Sequence, residues 1–452
     1  MQCQPFSTLP LEELMRPQGF DCACGKHHDV SPLQKVFLGP GALGNLPQAL
    51  AAAKVRNPLL VADPNTMAAA GDAVQTVLQD AGIAHGVCLL GQSHPEPDEQ
   101  NVGAITLALC KGGYDGLLAV GSGVVNDLCK VVCHAAAKPQ VTVTTAPSMD
   151  GYLSDSASML WGGLKTSVYC RCPVALVCDT DILRNAPMRM LQAGVGDMLA
   201  KCVSLGEWHL SQIINEEYYC PEANALMLRA AKLAWDAAGG VGRREEKAVR
   251  QLMEGIILSG VAVTFVHVSR PSSGLEHYLS HVWDMRAVAR HGVPDDLHGI
   301  QTGVGTLLSL KLYEHIRGLQ PDFDRAVKTV QAFDRPAWEA NVRRVFGPAA
   351  EQVIAAEARE GKHDFTRYQS RIARIAVHWD EIQQIISKEI PHYDDALRVM
   401  RAVGGPCSAE EIGQDHESVV DALVASQEIR DKYVLSRLLW DLGLLDEATN
   451  WL

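Results

Sequence analysis

The sequence predicts an α/β domain followed by an all-α domain. Six short apolar runs lie before residue 185 and alternate with longer segments of helical periodicity. This alternation is typical of βαβ units and of a doubly wound, mostly parallel, Rossmann-like sheet. After about Asn185 such runs end, and Ala/Leu-rich segments indicate helices. Since 452 residues exceed one ordinary core, we expect an α/β domain over residues 1–185 and a helical domain over residues 186–452, with a ligand in the cleft between them.

The predicted elements follow one another at short intervals. The strands are KVFLG (35–39), PLLVAD (58–63), HGVCLL (85–90), GLLAV (116–120), VTVTT (141–145) and VALVC (174–178). The helices of the first part are predicted over 42–53, 66–81, 98–111 and 124–137. Those of the second part are predicted over 187–206, 221–238, 244–266, 272–288 and 299–318, with several more towards the C-terminus.

Composition and charge exclude several classes of protein. Apolar residues make up 47% and charged residues 21%, which is ordinary for a globular chain. The net charge is −13 without any block of Lys or Arg, so nucleic acid and anionic membranes are not expected as partners. The longest apolar runs, such as residues 255–268, fall short of the roughly 20 residues that cross a bilayer. We therefore expect a soluble protein without membrane insertion.

Cysteine usage points to a reducing compartment. The 13 cysteines are scattered, and no secretory signal precedes them, so we expect reduced thiols in the cytoplasm. Near the N-terminus, Cys22, Cys24, His27 and His28 form a C-x-C-x-x-H-H pattern. It lacks the second ligand pair of a typical zinc site. The sequence therefore favours a structural loop, and zinc is the alternative.

A glycine turn directly follows the fourth predicted strand. The segment GSGVVND (121–127) leads from strand to helix, and a helix N-terminus offers N–H groups and positive potential to a phosphate. The three-glycine fingerprint is incomplete, so a plain tight turn is the alternative. The polar loop TTAPSMDGYLSDSAS (144–158) ends the next strand at the same sheet edge. Two such loops favour a nucleotide across that edge.

Asp63 closes the second predicted strand, in the segment VADPNT. A carboxylate there is able to accept hydrogen bonds from an adenosine ribose and to repel a 2′-phosphate, which favours NAD over NADP. An Asp-Pro turn is the alternative for this residue.

Four histidines lie in the stretch 269–305, and two of them share a helical face. His277 and His281 are four residues apart, and His298 precedes the next predicted helix. With Asp197, early in the first helix of the second half, His277 and His298 form a one-carboxylate, two-imidazole set that suits zinc, nickel or iron(II). The alternatives are hydrogen-bonded core histidines and a helix-capping Asp197.

Taken together, these motifs resemble the sn-glycerol-1-phosphate dehydrogenase family, and in particular its bacterial AraM-like branch. The resemblance covers the chain from about Phe20 to the C-terminus, and it is carried by the segments GSGVVNDLCK, TTAPSMDGY, GVGDMLAK, SRPSSGLEHYLSH, LHGIQTGVGTLL and EIRDKYVLSRLLWDLGLLDE. The wider superfamily includes dehydroquinate synthase, glycerol dehydrogenase and the iron-containing alcohol dehydrogenases. The resemblance thus implies a dehydroquinate synthase-like fold.

The implied activity is a metal-dependent reduction of dihydroxyacetone phosphate to sn-glycerol 1-phosphate by NADH or NADPH. The metal is expected to be zinc or nickel, with iron as a further option. We also expect a homodimer, the commonest arrangement of soluble enzymes. The alternatives are a carbocycle-forming lyase like dehydroquinate synthase, a dehydrogenase of an unphosphorylated polyol such as glycerol, and an NAD-binding protein without catalysis.

Matched by motif, the resemblance assigns three groups of residues. The metal ligands are Asp197, His277 and His298. The catalytic or substrate-contacting residues are Asp150 and His281, with Lys165 and Arg270 as phosphate contacts. The nucleotide contacts are Gly121, Ser122, Gly123, Val124, Val125, Thr145, Ser148 and Ser154. Asp63 joins them because of its position at the end of the second predicted strand.

Two departures from the family pattern stand near these residues. The usual glycine triplet is Gly-Ser-Gly at 121–123, and the usual HGEQ is HGIQ, with Ile300 in place of Glu. Neither change removes an expected metal ligand. The first is expected to affect cofactor affinity, and the second the surroundings of His298.

Overall fold

The computed structural model contains a six-stranded parallel sheet in the N-terminal part of the chain. It describes residues 5–91, 95–161 and 164–452, and the side chains of Leu164 and Lys165 lie outside this description. The strands are β1 (Phe20–Asp21), β2 (His27–His28), β3 (Lys35–Gly39), β4 (Pro58–Ala62), β5 (Gly86–Leu89), β6 (Gly116–Gly121), β7 (Gln140–Thr144), β8 (Ser156–Trp161), β9 (Leu164–Tyr169) and β10 (Ala175–Asp179).

The sheet has a point at which the chain changes direction. Its order over the described residues is β3-β10-β7-β6-β4-β5, with every pairing parallel. From β4 the chain moves to one edge through β5, and from β6 it moves to the other through β7 and β10. Parallel sheets bind ligands at such a switch point, beyond the carboxyl ends of the strands. Here Asp63 directly follows β4, and Gly121 ends β6.

Strand β4 is continuously apolar because both faces of the sheet are covered there. All five residues of β4 are buried. Leu60 and Ala62 pack into the core on one face, whereas Leu59 and Val61 pack into the core on the other. Side chains alternate between the two faces of a strand, so a strand covered on both faces favours apolar residues at successive positions.

Both the predicted sheet and the predicted fold class are confirmed, and the six predicted strands agree with β3 to β7 and β10 to within one residue at each end. Two antiparallel hairpins were not predicted: β1–β2, and β8–β9 with Ser156 opposite Tyr169. The predicted polar loop 144–158 is therefore too long. Its last residues belong to β8, which begins at Ser156.

Helices make up most of the rest of the described chain. They are α1 (Leu11–Leu14), α2 (Leu46–Ala52), α3 (Pro64–Thr66), α4 (Asp72–Asp80), α5 (Glu99–Lys111), α6 (Gly123–Ala136), α7 (Thr180–Leu183), α8 (Met188–Asn215), α9 (Pro221–Gly242), α10 (Glu246–Val266), α11 (Leu275–His291), α12 (His298–Ile316), α13 (Phe323–Gln331), α14 (Arg335–Phe346), α15 (Ala350–Glu360), α16 (Phe365–Val377), α17 (Trp379–Glu389), α18 (Tyr393–Val403), α19 (His416–Ser426), α20 (Leu435–Asp441) and α21 (Leu445–Ala448). The predicted helical second part is confirmed.

The chain divides into two compact units. The first comprises the described residues up to Met198 together with Pro221–Val268, so it contains the sheet and helices α9 and α10. The second comprises Leu199–Cys220 and Ser269–Leu452 and is helical. The domains 1–185 and 186–452 were defined by the change in secondary structure and not by packing, and they stay a prediction.

Helix α10 is the one helix in the described residues that is long and apolar enough to cross a membrane. Its most apolar 18-residue window has a mean hydropathy of 1.5, and 83% of that window is buried inside the fold. Core helices of globular proteins share this composition, because a helix surrounded by protein is apolar on all sides.

Candidate active site

The glycine turn after β6 forms an open helix N-terminus at the switch point. Helix α6 begins at Gly123, and the side chain of Ser122 makes no capping hydrogen bond. The first N–H groups of a helix have no partner within the helix, and those of Gly123, Val124 and Val125 directly follow the end of β6. Ser122 has φ −109°, a value that any residue adopts, which explains why serine replaces the usual glycine here.

The second predicted loop lies beside this turn. Thr145 N donates to Gly121 O at 3.1 Å, which joins the ends of β7 and β6. Thr145 and Ser148 are buried. The Tyr152 hydroxyl donates to Ala146 O at 2.6 Å and closes the loop on itself. The predicted nucleotide-binding segments 121–125 and 145–148 are therefore neighbours at one edge of the sheet.

A buried lysine that was not predicted as a site residue holds the loop in place. Lys130 Nζ, on α6, donates to Gly151 O at 3.0 Å and to Ser154 Oγ at 3.1 Å, and it pairs with Asp127 Oδ1 at 2.9 Å. Ser154 Oγ in turn donates to Ser156 O at 2.8 Å. Ser154 thus has a structural role in the loop, whatever contact it makes with a nucleotide.

Asp63 caps a helix at the switch point. Its Oδ1 accepts from the backbone N–H groups of Asn65 at 2.8 Å and Thr66 at 3.0 Å, and its Oδ2 accepts from the Thr66 hydroxyl at 3.1 Å. This is a capping box. The structure therefore shows the Asp-Pro turn that was the alternative for this residue, and a ribose contact would have to share the carboxylate with the cap.

Asp150 and Asp197 are joined by a hydrogen bond. Asp150 N donates to Asp197 Oδ2 at 2.8 Å, and Asp150 Oδ2 accepts from Ser259 Oγ at 2.8 Å. Gly194 permits this arrangement, because a Cβ there would lie 1.8 Å from Pro147 O. The first glycine of the GVGD motif, Gly194, thus lets α8 approach the loop closely enough for Asp197 to be oriented by the Asp150 backbone.

Three histidine rings meet where α11 and α12 pack together. The rings of His277 and His298 lie 5.0 Å apart, those of His281 and His298 lie 5.8 Å apart and are stacked, and those of His277 and His281 lie 6.3 Å apart. His277, His281 and His298 therefore lie together at one place in the structure.

Hydrogen bonds orient two of the rings. His277 Nδ1 lies 2.8 Å from Glu276 Oε1, and His298 Nδ1 lies 3.3 Å from Ser280 Oγ. Since the Ser280 hydroxyl donates to Gln301 Oε1 at 2.9 Å, its oxygen is available to accept from His298 Nδ1–H. The network thus assigns the proton to Nδ1 of both rings and the lone pair to Nε2. Metal-binding histidines typically have such an outer partner.

Asp197, His277 and His298 form a group suited to a metal ion. Each offers one ligand atom, and the three atoms lie within 4.8 Å of one another. One carboxylate and two imidazoles are a borderline donor set that fits zinc, nickel or iron(II), and three protein ligands leave coordination positions for a substrate. A second group joins His281, Asp284 and His298 within the same limit, so His281 lies beside the candidate metal ligands.

Two buried carboxylates stand behind this histidine cluster. Glu276 and Glu207 are fully buried. Burial, followed by repulsion from the Glu276 carboxylate, raises the pKa of Glu207 to about 8. Glu207 accepts from Leu275 N and Leu435 N at 2.9 Å each, so it fixes the start of α11, two residues before His277.

Lys165 and Arg270 are the two expected phosphate contacts, and the structure describes the side chain of Arg270 only. The backbone of Lys165 lies in β9, opposite Leu160, and its side chain lies outside the described residues. Arg270 is buried and pairs with Glu217 through Nε at 2.9 Å and NH2 at 2.7 Å. The structure therefore favours a structural ion pair for Arg270. The substituted Ile300 is fully buried in α12, where it belongs to the core.

Comparisons with known proteins agree with this architecture. Residues 37–187 match the family model described as iron-containing alcohol dehydrogenase. The archaeal halo-thermophilic Red Sea brine pool alcohol dehydrogenase ADH/D1 aligns over 94% of this chain and 98% of its own, with a TM-score of 0.61 and 16% identity, a likeness that concerns the fold. The predicted dehydroquinate synthase-like fold is thereby confirmed.

Sequence relatives place the chain more narrowly. Glycerol-1-phosphate dehydrogenase (NAD(P)+) of Halalkalibacterium halodurans is 35% identical over 298 residues, which are 65% of this chain and 74% of the relative. The enzyme of the same name from Bacillus licheniformis is 26% identical over 427 residues, which are 94% of this chain and 93% of the relative. The resemblance deduced from the motifs is confirmed: the chain is an oxidoreductase that belongs to the glycerol-1-phosphate dehydrogenase family.

Proposed function

We propose that this chain catalyses the reversible reduction of dihydroxyacetone phosphate to sn-glycerol 1-phosphate, with NAD(H) or NADP(H) and one divalent metal ion. The observation that carries the proposal is the group of Asp197, His277 and His298, whose ligand atoms lie within 4.8 Å of one another. Family membership supports the same reaction, because the relatives bear that activity in their names. The metal is zinc or nickel, with iron as a further option.

The metal ligands are Asp197 and Nε2 of His277 and His298. A divalent ion bound there supplies Lewis-acid polarisation of a substrate carbonyl oxygen. Glu276 and Ser280 hold the two imidazoles in the tautomer that a metal requires. Asp150 N holds Asp197 Oδ2, so the position of each ligand is fixed by hydrogen bonding to the protein.

The nucleotide is bound at the switch point of the sheet. The N–H groups at the start of α6, at Gly123, Val124 and Val125, bind the pyrophosphate, since a helix N-terminus combines N–H donors with positive potential. Gly121, Ser122, Thr145 and Ser148 complete that surface. The overall charge of −13 repels an anionic ligand, so these local donors carry most of the attraction.

Proton transfer and substrate orientation fall to His281 and Asp150. His281 stacks on His298 and lies in a group with the Asp284 carboxylate. An imidazole beside a carboxylate is suited to release a proton to the product oxygen. Asp150, anchored by Ser259 Oγ at 2.8 Å, orients a substrate hydroxyl.

A substrate comparison on metal-loaded protein tests the proposal. NADH and NADPH oxidation would be measured in parallel with dihydroxyacetone phosphate and with dihydroxyacetone. We expect turnover with the phosphorylated substrate. His277→Ala is expected to lose turnover together with the one metal ion held by Asp197, His277 and His298, with the fold retained by circular dichroism. Full turnover of the His277→Ala variant, or a preference for dihydroxyacetone, would contradict it.

The organisation of the enzyme in the cell completes the proposal. We place it in the cytoplasm as a homodimer, without membrane insertion and without a nucleic-acid partner, because soluble homo-oligomers are most commonly two-fold dimers. Light scattering of the purified protein across a concentration series measures the mass directly, and a monomer mass at all concentrations would overturn the dimer.

A further inference from the structure

A second group of metal-ligating side chains lies near the N-terminus. Cys22, Cys24, His28 and Cys220 each offer one ligand atom, and all four atoms lie within 4.8 Å of one another. Three of these residues belong to the C-x-C-x-x-H-H pattern, for which the sequence favours a structural loop with zinc as the alternative. The fourth comes from a position nearly 200 residues further along the chain, and it supplies the ligand that the pattern lacked.

The β1–β2 hairpin holds its ligands in a tight turn. Cys22 N donates to Lys26 O at 3.1 Å, and Gly25 N donates to Cys22 O at 3.0 Å. Gly25 has φ +84°, a left-handed conformation that a residue with a Cβ rarely adopts. The turn folds Cys24 back towards β2, so that its Sγ lies 3.3 Å from His28 Nε2. Tetrahedral zinc with ordinary bond lengths holds such a pair about 3.6 Å apart.

Hydrogen bonding orients the His28 ring towards the thiols. His28 Nδ1 lies 2.6 Å from Phe265 O, and a carbonyl oxygen accepts only, so Nδ1 carries the proton and Nε2 the lone pair. The ring is fully buried and stacks on Phe265 at 5.8 Å. An imidazole whose second nitrogen donates to a backbone carbonyl is the usual form of a metal-binding histidine.

The adjacent histidine provides an internal contrast. His27 is exposed, and its Nδ1 contacts Asp21 Oδ1 at 2.9 Å on the other face of the hairpin. Successive side chains of a strand point to opposite faces. The hairpin therefore presents His28, and not His27, to the cysteines.

Cys220 is fixed by the start of a long helix. It is fully buried, and its peptide bond joins it to Pro221, the first residue of α9. The segment before β1 is bound to the same helix, since Ser7 N and Oγ donate to Glu222 Oε2 at 3.2 and 2.9 Å. Several contacts thus hold the N-terminal segment against the beginning of α9.

We propose that Cys22, Cys24, His28 and Cys220 bind one structural zinc ion, distinct from the metal ion held by Asp197, His277 and His298. Three thiolates and one imidazole fill a tetrahedral coordination sphere, which leaves no position for a substrate. The ion joins the β1–β2 hairpin to α9 and lends the short hairpin a stability that two-residue strands do not provide.

Metal analysis of matched variants tests this site separately from the proposed catalytic site. The protein would be produced with zinc, and its metal content per chain measured by mass spectrometry. We expect two zinc ions in the unaltered chain, one in His277→Ala and one in the double variant Cys22→Ser/Cys24→Ser. His27→Ala, altered beside the cluster but outside it, is expected to keep both. A His277→Ala protein without zinc would overturn the proposal.

Cobalt substitution identifies the ligands of the retained ion. In the His277→Ala background, Co²⁺ is expected to show the intense visible bands of tetrahedral thiolate coordination together with thiolate-to-metal charge transfer in the near ultraviolet. The Asp197 site contains no sulfur and cannot give that charge-transfer signal. Its absence from cobalt-loaded His277→Ala would refute the assignment, as would a disulfide among these cysteines in protein purified under reducing conditions.

A thiol titration of folded protein keeps the test independent of whether the serine variant folds. An organomercurial added stepwise to zinc-loaded His277→Ala is expected to release the remaining zinc to a chromogenic chelator as the cluster thiols react. Release that is complete before any thiol has reacted would place the ion elsewhere. Loss of the ion is also expected to lower the melting temperature of the chain more than His27→Ala does.

Discussion

Replacing Gly305 with alanine is expected to weaken metal binding by pushing two helices apart. Gly305 lies on α12, seven residues after His298 and therefore about two turns along the same helix. A Cβ at this position would lie 2.6 Å from Glu276 O and 3.2 Å from Glu276 Cα. The obstacle is backbone, not the end of a flexible side chain, so α11 and α12 have to separate.

The size of the effect follows from that distance. Ordinary contacts begin near 3.4 Å, so the helices have to move by about 0.8 Å. Overpacking of this kind costs about 1–3 kcal/mol, while alanine gains about 1 kcal/mol of helix propensity over glycine. The net loss of stability is thus small. Ligand distances, however, tolerate only about 0.2 Å, and we expect metal affinity to fall by about 10–100-fold, as for the loss of an outer-shell partner.

Competition between the protein and a chromogenic chelator measures the affinity, and thermal unfolding of the metal-depleted chain measures the stability. Gly103→Ala is the matched control, because Gly103 is also inside a helix but a Cβ there meets nothing within 4 Å. The control is expected to keep its metal affinity and to gain slightly in stability. A folded Gly305→Ala protein with unchanged metal affinity would refute the reasoning that the α11–α12 contact positions His277 and His298.

Three further predictions concern residues around the site. Asp63→Asn keeps the helix cap and removes the charge, so kcat/KM with NADPH is expected to rise relative to kcat/KM with NADH. Asp63→Ala removes the cap as well and is expected to lose about 1 kcal/mol of stability in urea unfolding. Lys130→Met removes the ammonium group that pairs with Asp127 and with the loop carbonyls. The free energy of unfolding in urea is expected to fall by about 3 kcal/mol, and the KM for the nucleotide is expected to rise. Folding raises the pKa of Glu207 from 4.5 to about 8, so its contribution to stability is complete below about pH 4.5 and is lost as the pH rises to 8 and above. Unfolding of the metal-depleted chain across that range measures this loss, and Glu207→Gln is expected to flatten the profile.

Each of these predictions has an outcome that contradicts it. An unchanged NADPH-to-NADH ratio in Asp63→Asn would leave Asp63 as a cap only. A Lys130→Met protein as stable as the unaltered chain would show that water replaces the ammonium group. A pH profile with the same slope in Glu207→Gln would assign the titration to another group.

The sheet was predictable because burial on both faces imposes a local pattern. The residues of β4 and β6 are all buried, and continuous apolar runs show this without any knowledge of their neighbours. The β8–β9 hairpin was missed because only part of β8 is buried: Trp161 is 63% exposed, and the strand begins with serines that also suit a loop. The two-residue strands β1 and β2 are too short for any periodicity.

The candidate site was predictable where its residues are close in sequence. The four-residue spacing of His277 and His281 places both on one helical face, whereas the partners that orient the rings, Glu276, Ser280 and Gln301, carry no signal of their own. The proposed zinc site of Cys22, Cys24, His28 and Cys220 shows more clearly that residues far apart in sequence are difficult to connect. Cys220 lies far from Cys24 in sequence, and only the folded structure groups it with the other three residues.

Gly194 and Gly305 allow close helix contacts because they have no side chain. A Cβ at Gly194 would occupy the position of the Pro147 carbonyl, 1.8 Å away, so α8 reaches the loop closely enough for Asp197 to accept from Asp150 N. Gly305 allows α12 the same approach to the Glu276 backbone. In both places a missing side chain sets the position of a proposed metal ligand several residues away. The motifs therefore specify helix contacts as well as chemistry. Ile300, which is buried in α12, replaces a glutamate without removing any residue of the proposed metal site.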